Sequence, residues 1–384
     1  MFQHLEVAHG FIMVSSVLIL TGIVTLLALK QRNLVITRKK RALREKHADY
    51  FAYVMAHLDT DETLKLPADA LNKWDLLVLQ EELIEMAERV KGAHRARLSV
   101  LFQQLGLPVR EMNRLTSMLG ARRIEAAYKL GAMGCGQAVP VLLSLLDREK
   151  DESSRFIIAR AIARCARHGE DVRDMAVKKL DTLSASPRLM AELLNEARVD
   201  VVPILKQWLE QDDHRLVLVA MASLPSQLDQ GIANLLWPHL QSSEKEIRIQ
   251  AAKLLLQGNL WLQPTEKEAF FTHEDWEIRA MAAKAAGRWT EEHLIPSLMK
   301  VMEDRNWWVR RNAALSLGLL GEAGFRALCE VAAHSSNEET AHLARQSIQR
   351  ALRSDGPAHH QERLRKQRQA IYDSYFALRR HQAM

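Results

Sequence analysis

Residues 304–321 read DRNWWVRRNAALSLGLLG, and the same succession recurs along the chain: a polar turn, an apolar residue, a basic residue, two small residues and leucine. The positions equivalent to Arg310 are Arg123, Arg155, Arg188, Val217, Arg248, Arg279 and Ala341. Successive markers lie 32, 33, 29, 31, 31, 31 and 31 residues apart. A period near 31 residues over eight units is typical of stacked helical repeats.

The repeated positions have the chemistry of helices that pack closely on copies of themselves. Small pairs such as Ala282-Ala283 and Ala313-Ala314 let neighbouring helices approach, and leucines at helical spacing fill the layer between them. The second helix of each unit is expected between markers, as in residues 138–146 and 293–302, with Pro140 and Pro296 early in these segments. No unit covers its own apolar face, so folding is expected to be cooperative.

Polar residues at the turns suggest how the units are joined. Asp275 and Asp304 precede their helices and are expected to cap free backbone N–H groups. The marker arginine is expected to pair with the acidic turn of the next unit.

In residues 105–352 these units resemble short HEAT repeats of the phycobilin-lyase-like kind, most closely around Arg248, Arg279 and Arg310. The resemblance implies an all-α solenoid of about eight repeats that binds protein partners, and it implies no activity. Aromatic residues make up 6% of the chain and strand-like alternation is scarce, which agrees with an all-α class.

An uncharged run from Phe11 to Leu29, FIMVSSVLILTGIVTLLAL, precedes the repeats. As a helix it would span ~28 Å, about the hydrocarbon thickness of a bilayer. A cleaved signal peptide and a buried core helix are the alternatives. The sequence before the run has no Lys or Arg, and no convincing cleavage site follows it, so a retained single transmembrane helix is predicted.

Basic residues follow this run and predict its orientation. Residues 30–50 hold eight basic and two acidic side chains, against only Glu6 before the run. The positive-inside rule then leaves about ten residues outside a bacterial-type inner membrane and the repeats in the cytoplasm. Within the basic stretch, Arg38, Lys39, Lys40 and Arg41 are expected to meet anionic lipid headgroups.

The charge of the chain is concentrated at its flanks. Residues 30–50 carry a net +6 and residues 353–384 a net +4, against +6 for the whole chain, so the remainder is left at −4. A nucleic-acid groove needs clustered positive charge, so no nucleic-acid partner is expected. Cys135, Cys165 and Cys329 are scattered without a pairing motif and are expected to be reduced and buried.

The segments around the repeats complete the expected domain organisation. Residues 30–70 read as a basic juxtamembrane helix and linker, and residues 71–105 as a helical hairpin or a cap on repeats 106–352. Residues 353–384 read as a basic amphipathic helix, either a cap on the last repeat, a membrane-surface helix or a partner-docking helix.

No catalytic, metal or cofactor site is predicted. HEAT-repeat di-iron hydroxylases such as deoxyhypusine hydroxylase carry several His-Glu pairs, whereas this chain has one, His273-Glu274, which is expected to form a polar turn. Gly134-Cys135-Gly136 is expected to be a turn after a helix rather than a reactive-thiol site. There is no phosphate-binding glycine loop.

The candidate partner-binding residues are Trp276, Arg279, Trp307, Trp308, Arg310 and Arg311. Tryptophan and arginine are enriched in binding hot spots. Trp276 and Trp307 occupy matching positions and are expected to lie one above the other. The alternatives are packing of the tryptophans between repeats and a purely structural ladder for the in-register arginines; Arg311 is outside that register.

The favoured function is a non-enzymatic scaffold or adaptor that docks a membrane-associated protein. The layout, with residues 73–92 (KWDLLVLQEELIEMAERVKG), resembles membrane-anchored bacterial HEAT-repeat proteins. That resemblance implies a membrane glycosyltransferase of surface polysaccharide synthesis as a candidate partner. The alternatives are a repeat-based lyase or metal-dependent enzyme, and a signalling adaptor for an acidic or phosphorylated ligand.

Overall fold

The computed structural model describes residues 2–60, 63–182, 186–225, 228–257, 262–353 and 358–380. In these ranges the regular structure is entirely helical, with twenty-one α-helices, four short 3-10 segments and no strand. The all-α prediction is therefore confirmed. The chain divides into two compact units, the first formed by residues 1–183 and 196–200 and the second by residues 184–195 and 201–384.

The first unit contains nine α-helices, which are α1 Phe2–Lys46, α2 Ala48–His57, α3 Lys73–Arg89, α4 Gly92–Gln104, α5 Leu107–Arg114, α6 Gly120–Met133, α7 Val139–Arg148, α8 Glu152–Cys165 and α9 Gly169–Thr182. The second unit contains twelve among the described residues, which are α10 Pro187–Asn195, α11 Val202–Leu209, α12 His214–Ser223, α13 Gln230–Leu236, α14 Lys245–Leu255, α15 Pro264–Ala269, α16 Trp276–Trp289, α17 Ile295–Val301, α18 Trp307–Leu317, α19 Gly321–His334, α20 Glu338–Arg353 and α21 Ala358–Arg380.

Helix α1 is a single 45-residue helix that runs through both the uncharged run and the basic stretch after it. Its large apolar side chains described between Met13 and Val35 are 47–70% exposed. By length and composition it is long and apolar enough to cross a membrane. Exposure of such a large apolar surface to water would be unfavourable, because burial of apolar area is a main driving force of folding.

The basic end of α1 packs against α3. Lys40 Nζ lies 2.6 Å from Glu81 Oε1, and Arg44 Nε lies 2.5 Å from Glu82 Oε1. The helix ends before His47, whose Nε2 lies 2.9 Å from Oδ1 of the fully buried Asp75. The basic stretch is thus part of the folded unit.

The helical pair expected in residues 71–105 is present as α3 and α4. Helix α3 begins with a capping box, in which Asn72 Oδ1 accepts from Asp75 N at 3.1 Å and Asp75 Oδ2 accepts from Asn72 N at 3.0 Å. The pair packs on α5 and α6.

Small residues bring the first helices of neighbouring repeats together, as the sequence predicts. In the first unit, Gly131 of α6 lies against Ala161 of α8. In the second unit, Ser316 of α18 donates to the Ala283 carbonyl of α16 at 2.6 Å, and Asn312 donates to the Ala280 carbonyl at 2.8 Å. The second helices also form where expected, since α7 and α17 have proline in the first turn.

Helix α21 packs on α19 and α20. Arg368 Nη1 donates to the Ala351 carbonyl at 2.8 Å, and its guanidinium lies 5.7 Å from the Phe325 ring centroid. Ile371 is buried. These contacts are those of a helix that covers the last repeat.

Candidate partner-binding surface

Three of the marker arginines, all in the second unit, link one turn to the next, as the sequence predicts. Arg248 Nε lies 2.7 Å from Asp275 Oδ2 in the following turn, and Arg279 Nε lies 2.6 Å from Asp304 Oδ2. Arg310 pairs with Glu339 in the same way.

Each arginine of this ladder also donates to its own turn. Arg279 Nη1 donates to the His273 carbonyl at 2.7 Å, and Arg310 Nη1 donates to the Asp304 carbonyl at 2.8 Å. Arg279 and Arg310 are therefore held by the repeat stack, and their guanidinium groups are largely buried.

The expected capping role of the two aspartates is wrong. Asp275 precedes α16 but makes no side-chain hydrogen bond to its N-terminus, because Arg248 holds its carboxylate. Hydrogen bonds from Arg248 lower the pKa of the Asp275 carboxyl group, although burial acts in the opposite direction. Before α18, Asn306 is the capping residue and accepts from Trp308 N at 2.9 Å, while Asp304 accepts from Asn306 N at 2.8 Å.

At the start of α18, three side chains form an exposed aromatic cluster, which comprises Trp307, Trp308 and Arg311. The two indole rings meet edge to face with centroids 4.8 Å apart. Arg311 Cζ lies 5.4 Å from the Trp307 centroid and 5.6 Å from that of Trp308. Trp307 and Trp308 are 44% and 50% exposed. Within the described residues Arg311 forms no ion pair with a carboxylate.

A groove of about 470 Å³ lies beside this cluster, between the start of α18 and helix α20. Its lining includes Trp307, Glu338, Glu339, His342, Leu343 and Gln346. The indole and Leu343 supply apolar surface, and the α20 side chains supply hydrogen-bonding groups around it. This combination suits a segment that inserts an apolar side chain and hydrogen-bonds at the edges.

The candidate Trp276 and the nearby Trp289 are not part of the cluster. Trp276 is half-buried and makes no ring contact with Trp307 in the described part of the chain. Trp289 is 7% exposed and packs under Lys267, whose Nζ lies 5.2 Å from its centroid. The structure thus brings Trp307, Trp308 and Arg311 into one cluster, and Trp276 makes no ring contact with it among the described residues.

The residues of α20 that line the groove are not among the binding residues predicted from the sequence. Glu338, His342 and Gln346 recur every four residues and so share one helix face. This spacing was the available signal, but it falls in the weakest repeat, where Ala341 replaces the marker arginine.

The four basic residues predicted to meet lipid have different environments. Lys40 is paired with Glu81, and Lys39 Nζ lies 4.4 Å from the Trp74 ring centroid. Arg38 is exposed, and Arg41 is exposed in a pair with Glu45 one turn away.

The polar groups weighed for chemistry have structural contacts. His273 Nδ1 accepts from Asp275 N at 3.1 Å. Cys135 follows the left-handed Gly134 that ends α6, which confirms the expected turn. All three cysteines are free and buried. Among the described residues, no three His, Cys, Asp or Glu side chains group as metal ligands would.

Comparison with known proteins identifies the repeat type. Residues 267–349 match the family described as HEAT repeats, and residues 122–148 match the PBS lyase HEAT-like repeat. No curated protein sequence matches the chain.

Three solved structures are similar at low identity. An engineered protein is 17% identical with a TM-score of 0.36, and the match covers 85% of this chain and 98% of that one. Human deoxyhypusine hydroxylase in complex with glycerol is 16% identical with a TM-score of 0.28, covering 72% and 98%. A chain of the Pds5-Scc1 complex is 11% identical with a TM-score of 0.34, covering 84% and 64%.

Proposed function

We propose that this HEAT-repeat chain is a scaffold or adaptor that binds a protein partner at the cytoplasmic face of a membrane, with the aromatic cluster at the centre of its binding surface. The observation that carries the proposal is the pair of adjacent half-exposed tryptophans, Trp307 and Trp308, beside the α20 groove.

The energetics favour a binding role for this cluster. Two large indoles left half-exposed forgo burial that would stabilise the repeats. Arg311 holds them in a defined arrangement, so little side-chain entropy is lost when a partner covers them. Tryptophan and arginine together are the residue types most enriched in hot spots.

The neighbouring ladder gives this surface a rigid base. Arg310, one residue before Arg311, is buried and paired with Glu339 in the groove wall. Arg279 and Arg310 thus support the surface, while Trp307, Trp308 and Arg311 contact the partner. Trp276 lies outside this contact set.

The membrane location is supported by the exposed apolar surface of α1 and by the basic residues that follow it. A chain anchored in this way meets membrane-bound partners at a raised effective concentration. The partner is therefore a membrane-associated protein. A membrane glycosyltransferase of surface polysaccharide synthesis is the candidate that the resemblance of residues 73–92 implies.

The experiment is affinity capture of the full-length chain from mild detergent, with identification of the chains that co-purify. The Trp308→Ala/Arg311→Glu variant is expected to lose the partner while its helical content and melting temperature stay unchanged. A matched control, Leu319→Ala/Lys300→Glu, removes an exposed apolar and an exposed basic group elsewhere in the second unit and is expected to keep the partner.

Three results would count against the assignment. If the cluster variant retains the partner, the binding surface lies elsewhere. If it unfolds, the cluster residues serve packing. Capture of no partner, together with a metal or chromophore in the purified protein, would favour the repeat-based enzyme instead.

A further inference from the structure

A second groove, of about 780 Å³, runs along α1 and is closed on one side by α3. Val24, Leu27, Ala28, Val35 and Ile36 line it on α1, and the Trp74 indole lines it in the first turn of α3. Gln31 and Arg32 also belong to the lining, but most of its exposed area is apolar, so the groove suits a hydrocarbon chain better than a polar peptide.

The position of this groove along α1 is informative. The uncharged run ends at Leu29, so part of the lining lies within the run and part lies beyond Lys30. If α1 spans a bilayer, this is the depth at which hydrocarbon meets headgroups. Tryptophan is enriched at that depth, and lysine and arginine extend their charged ends to it.

The start of α3, which carries Trp74, is held in place against α1. Trp74 N donates to Asn72 Oδ1 at 2.8 Å in the capping box of α3. The ion pairs of Lys40 with Glu81 and of Arg44 with Glu82 then fix α3 on α1. The groove is therefore preformed by packed helices.

The charged groups at the groove point to an anionic occupant. Arg32 lines the groove. Lys39 Nζ lies 4.4 Å from the centroid of the Trp74 ring, which forms one wall of the groove. Arg32 and Lys39 are seven residues apart and so share one face of α1. Among the described residues, neither of them forms an ion pair with a carboxylate.

We propose that the groove between α1 and Trp74 binds one anionic phospholipid, with its acyl chain along Val24 to Ala28 and its phosphate between Arg32 and Lys39. The order of residues along α1 gives this direction: Val24, Leu27 and Ala28 lie within the uncharged run, whereas Arg32 and Lys39 lie beyond it in the basic stretch. The helix rises ~12 Å from Val24 to Arg32, which is comparable to the outer part of one leaflet. The inference rests on the proposed membrane span.

The test uses the full-length chain in vesicles of phosphatidylcholine that contain a minor fraction of phosphatidylglycerol. One of the two lipids at a time carries bromine atoms in its acyl chains, which quench nearby tryptophan fluorescence. Phosphatidylglycerol is expected to quench more strongly than the same fraction of phosphatidylcholine. The Trp74→Phe variant is expected to lose this difference, which assigns it to Trp74 among the eight tryptophans.

A charge-matched pair of variants tests the phosphate site. Arg32→Gln/Lys39→Gln is expected to reduce the preference for phosphatidylglycerol on the order of tenfold, as two basic groups near an anionic headgroup would. Arg38→Gln/Arg41→Gln removes the same charge from exposed positions near the headgroups but outside the groove, and is expected to reduce the preference much less.

The outcomes separate this inference from the proposed anchor. If the chain resists alkaline extraction from vesicles but both charge variants behave alike, the span stands and the lipid site is wrong. Equal quenching by the two lipids in the wild-type chain also rejects the site. If alkali extracts the chain from the vesicles, the anchor itself is rejected.

Discussion

Gly131 of α6 lies so close to Ala161 of α8 that a Cβ atom on Gly131 would be 2.8 Å from the Ala161 Cα and 3.1 Å from its Cβ. The obstacle is backbone, so no side chain can rotate to relieve it. The distance between these two first helices of neighbouring repeats is therefore set by the absence of one methyl group.

We expect Gly131→Ala to destabilise the first unit. In a helix, alanine is more favourable than glycine by about 1 kcal/mol. Overpacking at a backbone contact, however, lowers the free energy of unfolding by about 1–3 kcal/mol. Thermal unfolding followed by circular dichroism in mild detergent measures the balance. Gly120→Ala is the control, because the nearest atom to its Cβ is Arg123 Nη2 at 3.7 Å. A Gly131→Ala protein as stable as the control would contradict the close approach.

A double-mutant cycle on Arg279 and Asp304 is expected to show a coupling energy of about 1–2 kcal/mol, because the pair is charge-assisted and largely shielded from water. Their side chains are 18% and 8% exposed. The same cycle on the exposed pair of Arg41 and Glu45 should give at most about 0.5 kcal/mol. Equal couplings would mean that the ladder adds nothing beyond a surface ion pair.

Stability is expected to fall with acid because of the ladder carboxylates. Hydrogen bonds from Arg248 hold the pKa of Asp275 below its ordinary value in the folded chain. The stabilisation is therefore complete above the unfolded pKa, about 4, and is lost as the pH falls through the folded pKa. Melting temperatures measured from neutral pH downward test this. Asp275→Asn should be less stable at neutral pH and show a shallower acid dependence; an unchanged slope would place the acid sensitivity elsewhere.

The three thiols are expected to be unreactive at neutral pH. Burial raises the pKa of Cys165 and Cys329 to about 12, and it also raises that of Cys135. A thiol reagent should label none of them in the folded chain and all three in denaturant. Rapid labelling of Cys135 before unfolding would revive the reactive-thiol interpretation of the Gly134–Gly136 turn.

The repeat period predicted the helices and the arginine ladder, because both depend on residues that recur at one spacing. The capping role of Asp275 was mispredicted because one carboxylate was assigned two roles, and the ladder arginine Arg248, 27 residues earlier, takes it. The ion pair of Lys40 could not be predicted from nearby sequence, because its partner Glu81 lies 41 residues away.

The binding surface was only partly predictable for the same reason. Trp276 and Trp307 occupy one repeat position, yet their environments differ because Trp308 and the α20 groove adjoin only the second. The exposure of a side chain depends on the helices packed beside it, so the residue pattern of a single helix does not predict it.

The unbroken course of α1 to Lys46 has a mechanical consequence. With Lys40 and Arg44 joined to α3, no slack chain separates the apolar run from the first helical pair. The part of α1 from Lys30 to Lys46 rises ~24 Å. If the apolar run lies in a bilayer, this rigid helix therefore limits the distance between α3 and the membrane. Glycine and serine residues inserted between Lys30 and Lys40 would interrupt this helix and release α3 from that limit.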